Sequence, residues 1–159
     1  EYQARFAPKS TGDIIAESDE VLTNTVIIHF APNDSNLMKK VIRKDAEGKE
    51  IEELYDPNAD FVLEEISKIV GQFGAARIVI EGHSDASMKA LLPDDVLVKQ
   101  LSENRANSVK ESLIQKYHLD PNQFNAAGIG WDRPADPKDP MNHAKNRRVE
   151  IRVFSAEHE

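Results

Sequence analysis

Ile78-Val79-Ile80-Glu81-Gly82-His83-Ser84-Asp85 is the stretch that decides how this chain folds. Three consecutive β-branched residues make a nearly continuous apolar run, the pattern of a strand covered on both faces and placed in the middle of a sheet. The run passes directly into a glycine, a serine and an aspartate. A carboxylate just beyond the end of a buried strand stands where α/β sheets leave a crevice for ligands. Taken alone, such an aspartate is more often a turn residue.

Upstream, Asp56-Pro57 offers a cap and a first-turn proline. After it, Val62, Ile66, Ile69, Val70 and Phe73 fall on one face of a helix that Gly74 stops. Before that helix, residues 38–55 form a charge-dominated insertion. Its tightest turn is expected at Asp45-Ala46-Glu47-Gly48, as a solvated excursion or a short hairpin. Val26, Ile28 and Phe30 alternate with Ile27 and His29 as a strand, closed by Pro32, Asn33 and Asp34. Residues 1–24, polar and containing Pro8 and Gly12, read as a linker and lead-in, leaving one domain over residues 25–159.

Downstream, Asp94-Asp95 after Pro93 favours the start of a second helix with a stripe of Val98, Leu101, Val109 and Leu113. Asp120-Pro121 opens a short turn. Phe124 to Gly130 reads as a third strand weakened by Gly128 and Gly130, and Val149, Ile151 and Val153 alternate with Arg148, Glu150 and Arg152 as a fourth. Strands separated by helices predict an α+β two-layer sandwich, a mixed sheet with helices packed on one face.

The charge balance of 28 acidic against 20 basic residues, net −8, opposes the phosphate attraction that drives non-specific nucleic-acid binding. The absence of cysteine excludes disulfides, thiolate zinc sites and cysteine nucleophiles, and fits either a reducing cytosol or a periplasm. No apolar run approaches the roughly 20 residues that span a bilayer, so no membrane contact is expected of this segment itself. The first residue is Glu1, not Met, which suggests a fragment whose tether or fused neighbour lies elsewhere in the parent protein.

Arg105 is the informative anomaly. At about 100° per residue it falls between Leu101 and Val109, inside the apolar stripe of the second helix. A guanidinium there must meet a carboxylate, meet carbonyls, or open into a pocket that takes an anion. The competing readings are a structural ion pair and a side chain that snorkels to water.

Enzymatic readings find little support. His83-x-Asp85 has the residue types of a metal ligand pair or a general base with its orienting carboxylate. The other histidines, at 29, 118, 143 and 158, lie in unrelated contexts, and no spacing assembles a zinc site. Ser84 and Ser102 lack the Gly-x-Ser-x-Gly setting of a strained nucleophile. No catalytic residue, metal or cofactor is therefore expected. Trp131, followed by Asp132-Arg133-Pro134, reads as a packed loop anchor or an exposed aromatic contact.

The runs Gly82-His83-Ser84-Asp85, Leu101-Ser102-x-x-Arg105-Ala106-x-x-Val109, Gly128-x-Gly130 and Asn146-Arg147-Arg148-Val149-Glu150-Ile151 stand in the order of a known motif string. Over residues 26–154 the chain resembles the OmpA-like peptidoglycan-binding domain, also present in peptidoglycan-associated lipoproteins and flagellar stator proteins. The resemblance implies a βαβαββ-type domain in the periplasm of a diderm bacterium. It would bind the diaminopimelate stem of peptidoglycan non-covalently and anchor a larger envelope protein to the wall. It places the ligand on Asp85 and Arg105. The chemistry agrees, because the free end of diaminopimelate is zwitterionic: a carboxylate takes its ammonium and an arginine fork takes its carboxylate. Asn33 and one arginine of Arg147-Arg148 follow as secondary contacts, against a turn asparagine and a solvated strand face. Leu101 and Phe30 are candidates for the pocket wall, against plain core packing. Alanine at either principal residue is expected to abolish wall binding with the fold intact.

The chain departs from the family pattern in several places. The loop after Asp85 reads Ala86-Ser87-Met88-Lys89-Ala90-Leu91-Leu92-Pro93 without the usual glycine. Val98 replaces an asparagine, Ala31 stands where many members are acidic, and the 38–55 connection is long. The alternative function is a protein-interaction module of the same fold that has lost wall binding and uses the charged insertion as its contact surface.

Overall fold

The strand expected around residues 78–80 extends over Ala76–His83 in the computed structural model, which describes residues 20–73 and 75–155. In chain order the elements are β1 (Glu20–Val21), β2 (Val26–His29), β3 (Lys40–Lys44), β4 (Glu50–Leu54), α1 (Ala59–Gly71), β5 (Ala76–His83), α2 (Val96–Tyr117), a 3-10 turn (Pro121–Gln123), β6 (Phe124–Gly130), α3 (His143–Asn146) and β7 (Arg148–Ser155). Most of the lead-in and Gly74, the expected helix stop, lie outside the described residues.

β5 is central, parallel to β6 on one edge and antiparallel to β7 on the other. The far edge of β7 carries β2 and, further along, β1, both antiparallel. The sheet thus reaches back to Glu20, inside the stretch read as lead-in. Period-2 alternation turns Ile78 and Ile80 of β5 and Val149, Ile151 and Val153 of β7 toward the helices, where they join Val62, Leu63, Ile66, Ala106, Val109 and Leu113 in one core. This is the expected α+β sandwich of a mixed sheet with helices on it.

Two local readings change. Asp56 does not cap α1: the capping position is Asn58, whose side chain makes no cap bond. Asp56 accepts instead from the backbone N–H of Asn58 (3.0 Å) and of His29 (2.9 Å), tying the end of β2 to the approach of α1. The second change concerns α2. Its buried face consists of Val98, Ser102, Arg105, Ala106, Val109 and Leu113, while Leu101 is half-buried at its margin.

Small residues sit at this contact because α2 lies almost backbone to backbone on the sheet. A Cβ at Gly82 would stand 1.8 Å from the Ser102 carbonyl oxygen, and one at Gly128 2.4 Å from the Glu103 nitrogen. Gly82 in β5 and Gly128 in β6 are what allow α2 to approach, and that approach brings Arg105 to the ends of β2 and β5.

The charged insertion is a true hairpin, β3 paired antiparallel to β4 from Lys40↔Leu54 to Lys44↔Glu50. The Asp45 carboxylate accepts from the N–H of Glu47 (2.9 Å) and Lys49 (2.8 Å), and Gly48 takes φ +83. Arg43 closes its base, donating to Glu53 (2.7 Å) and to the carbonyls of Leu54 and Tyr55.

Candidate functional site

The loop after β5 is held by two bonds at Ser84: its N–H donates to the Gly130 carbonyl (2.9 Å) and its hydroxyl to the Val98 carbonyl (3.0 Å). The next residue is Asp85. One of its carboxylate oxygens accepts from the Ser87 hydroxyl (2.6 Å) and the Ser87 N–H (2.9 Å). The other accepts from the Arg147 guanidinium at 3.3 Å. Burial pushes the Asp85 carboxyl up, but the Ser87 bonds and Arg147 outweigh it and hold the group below its ordinary 3.8. Asp85 is therefore ionised at neutral pH.

Arg105 is 1% exposed and takes the second of the three fates open to it, meeting carbonyls. Nε donates to Asp34 O (2.8 Å), one Nη to His83 O (2.9 Å) and the other to Ala31 O (3.1 Å), with Phe30 beneath the guanidinium at 5.6 Å. Burial lowers its pKa to about 10, and Arg147 adds to the lowering, while Asp85, Asp34 and Tyr55 oppose it. The group stays charged. Among the described residues no carboxylate lies within ion-pair distance of it. Of its five N–H groups, three go to carbonyls, leaving one on each Nη without a protein acceptor. A buried cation with no counter-ion and two spare donors has the chemistry to receive an anion.

Both charges border one cavity of about 540 Å³. Asp85, Ser87 and Arg105 give it a polar side, Pro32 and Asn33 its rim, and Met88, Leu92, Leu97, Val98 and Leu101 an apolar wall. Asn33 has φ +58, a left-handed backbone that asparagine tolerates better than most residues.

The structure thus gathers Asp85, Arg105, Asn33 and Leu101 around one space. Arg147 stands behind it and spends its guanidinium on Asp85, on Phe30 O (3.0 Å) and on the Tyr55 hydroxyl (3.0 Å), so it positions the aspartate. Two candidates are corrected. Arg148 does not reach the cavity: the alternation of β7 puts it on the sheet face away from the helices, 3% exposed and bonded to Glu150 (2.8 Å), so a solvated strand face is equally wrong. Phe30 is core, 2% exposed under Arg105, and does not form the cavity wall. Sequence reasoning missed Ser87 and Tyr55. Asp85-Ala86-Ser87 carries a readable Asx-turn signal, whereas Tyr55 arrives on the hairpin with no local cue.

On the far face of the sheet, Glu81, His83 and Glu150 offer ligand atoms within 4.8 Å of one another, and His83 is buried with neither ring nitrogen hydrogen-bonded. Three guanidiniums already stand on these carboxylates: Arg133 (3.4 Å) and Arg152 (3.9 Å) on Glu81, and Arg148 (2.8 Å) on Glu150. Their positive charge opposes a divalent cation, and the trio reads as part of an ion-pair network.

The fold is thus a mixed-sheet α+β domain with a cavity bordered by charges of both signs at the ends of β2 and β5. The family model described as the OmpA family matches residues 49–148, and the chain belongs to that family. Among curated proteins it is similar to outer membrane protein Omp38 of Acinetobacter baumannii, 35% identical over 106 residues that make up 66% of this chain and 27% of that protein. The chain therefore spans about a quarter of that relative's length. Among solved structures it resembles the OmpA-like domain of FopA1 from Francisella tularensis (TM-score 0.58, 16% identity, 86% of this chain and 79% of that one). It also resembles the peptidoglycan-associated lipoprotein of Burkholderia pseudomallei (TM-score 0.57, 16% identity, 81% and 89%). These two likenesses concern the fold. No helix among the described residues is long and apolar enough to cross a membrane.

Proposed function

We propose that this domain binds peptidoglycan non-covalently, through the zwitterionic end of diaminopimelate in the stem peptide. In this role it anchors a larger envelope protein to the wall in the periplasm of a diderm bacterium. The observation that carries the reading is the pairing within one cavity of an ionised Asp85 with a buried Arg105 that lacks a counter-ion. The ligand's ammonium joins Asp85, and its carboxylate takes the two spare N–H groups of Arg105. The apolar wall of Met88, Leu92 and Leu101 accommodates the methylene chain that joins this zwitterionic end to the peptide-linked end of the residue. Family membership supports the reading, as does the name of the fold relative described as peptidoglycan-associated.

The test is co-sedimentation with purified diaminopimelate-type sacculi. The wild-type chain is expected in the pellet with no soluble muropeptide released, which separates an anchor from a hydrolase. Asp85→Asn, which keeps the shape and the Ser87 acceptor but not the charge, is expected in the supernatant. Retention of the variant on sacculi would contradict the proposal.

A further inference from the structure

Trp131 is the sole tryptophan of the chain and the described site does not use it. It borders a second cavity, of about 680 Å³, between the loop after β5 and the segment leading from β6 to α3. Lys89 lies over its ring at 5.8 Å. Pro134 and Met141 extend the apolar surface, and Lys89, Asp132 and His143 supply convergent polar groups of both signs. The cavity is shaped from behind by Asn146, whose amide accepts from the Ala135 N–H (2.8 Å) and donates to the Pro140 carbonyl (2.9 Å). His143 Nδ1 is buried without a hydrogen-bond partner. Ser87, which holds Asp85, borders both cavities, so they are separated by the width of one side chain.

We infer that this second cavity seats an N-acetylated amino sugar of the glycan strand whose stem peptide occupies the first, a deepening that rests on the proposed wall binding. An indole packed against the apolar C–H face of a pyranose, ringed by a few polar groups for hydroxyls and an N-acetyl group, suits a neutral sugar. Lys89 and Asp132 balance in charge, as such a ligand requires. Reach agrees as well. Diaminopimelate is the third residue of the stem, and three residues extend at most about 10 Å. The sugar of a bound strand therefore stays within range of a cavity that shares Ser87 with the first. Tethering makes the second contact intramolecular, so a weak sugar site strengthens the whole.

The experiment compares the bare L-Ala-D-Glu-diaminopimelate tripeptide with the same peptide on its disaccharide, by calorimetry, for the wild-type chain, Trp131→Ala and Trp131→Phe. The disaccharide-peptide is expected to bind the wild type about tenfold tighter than the bare peptide, the scale of one aromatic contact. Trp131→Ala removes that advantage and Trp131→Phe keeps most of it, with bare-peptide affinity equal in all three. Since one indole emits, wild-type fluorescence should shift with the disaccharide-peptide and stay put with the bare peptide. Equal affinity for the two ligands overturns the inference, as does an advantage that survives Trp131→Ala. A bare-peptide affinity that falls equally in Trp131→Ala does so too, because the indole then only braces the loop. If neither ligand binds the wild type, the stem-peptide reading falls with it; if only the sugar adds nothing, that reading stands.

Discussion

Arg105 holds a full positive charge where water has been removed, and three backbone carbonyls share the cost. Arg105→Ala removes all three bonds, although the Ala31 carbonyl keeps the Asp34 N–H (3.3 Å), a loss of about 3 kcal/mol at roughly 1 kcal/mol each, measurable by urea denaturation. Arg105→Lys should fall between, since a single ammonium cannot fork to all three. Alanine here is expected to cost stability as well as binding, which makes Asp85→Asn the cleaner probe of binding. At Asp85 the folded pKa lies below 3.8, so the stabilisation of its ionised form is present above that value and lost as pH falls through the depressed one. The stability gap between wild type and Asp85→Asn should therefore narrow only below pH 3.8, in a denaturation series. The placement of Arg105 in an apolar stripe was legible in the sequence; its partners were not, because carbonyls carry no residue code. The choice between Arg147 and Arg148 was also within reach. The period of β7 sends Arg148 with Glu150 and Arg152 away from the helices, while Arg147 precedes the strand.

The contact of α2 with β5 and β6 governs where the cationic half of the site stands. Gly82→Ala drives a methyl group into the Ser102 carbonyl, and neither partner is a flexible side chain that can yield. The variant should lose several kcal/mol and wall binding together, read as a fall in denaturation midpoint and in sacculus co-sedimentation. Gly48→Ala is its counterpart. At φ +83 in the hairpin turn it should cost about 1 kcal/mol and leave binding unchanged, since nothing in the site touches that turn. Strand and helix identities were readable because periods of 2 and 3.6 are local properties. Gly128 was readable only as a weak point of its strand and Gly82 only as the start of the loop motif, since the helix that needs them is brought in by tertiary packing. For the same reason the insertion read as solvated, although its end delivers Tyr55 to Arg147.

Across the whole molecule, the two faces of the sheet have different tasks. One carries the core and the cavity rim; the other buries an ion network around His83. Burial, helped by Arg148, lowers the His83 pKa below 6.5 against the pull of Glu81 and Glu150. The unfolded chain therefore takes up a proton first, and global stability should decline as pH falls from 6.5 toward the folded pKa. His83→Gln, compared over the same pH series, should lack that slope. His83 also lends its carbonyl to Arg105, so the acid-sensitive face and the ligand face meet at one residue. On the proposed reading the cavity takes a ligand of both signs. Calorimetric titration of the wild-type chain with L-Ala-D-Glu-diaminopimelate and with the same peptide ending in L-lysine tests it directly, because lysine keeps the side-chain amine and lacks the second carboxylate. Binding of the diaminopimelate peptide is expected, with at least a roughly tenfold loss for the lysine peptide; equal binding of the two would mean that Arg105 does not receive the second carboxylate.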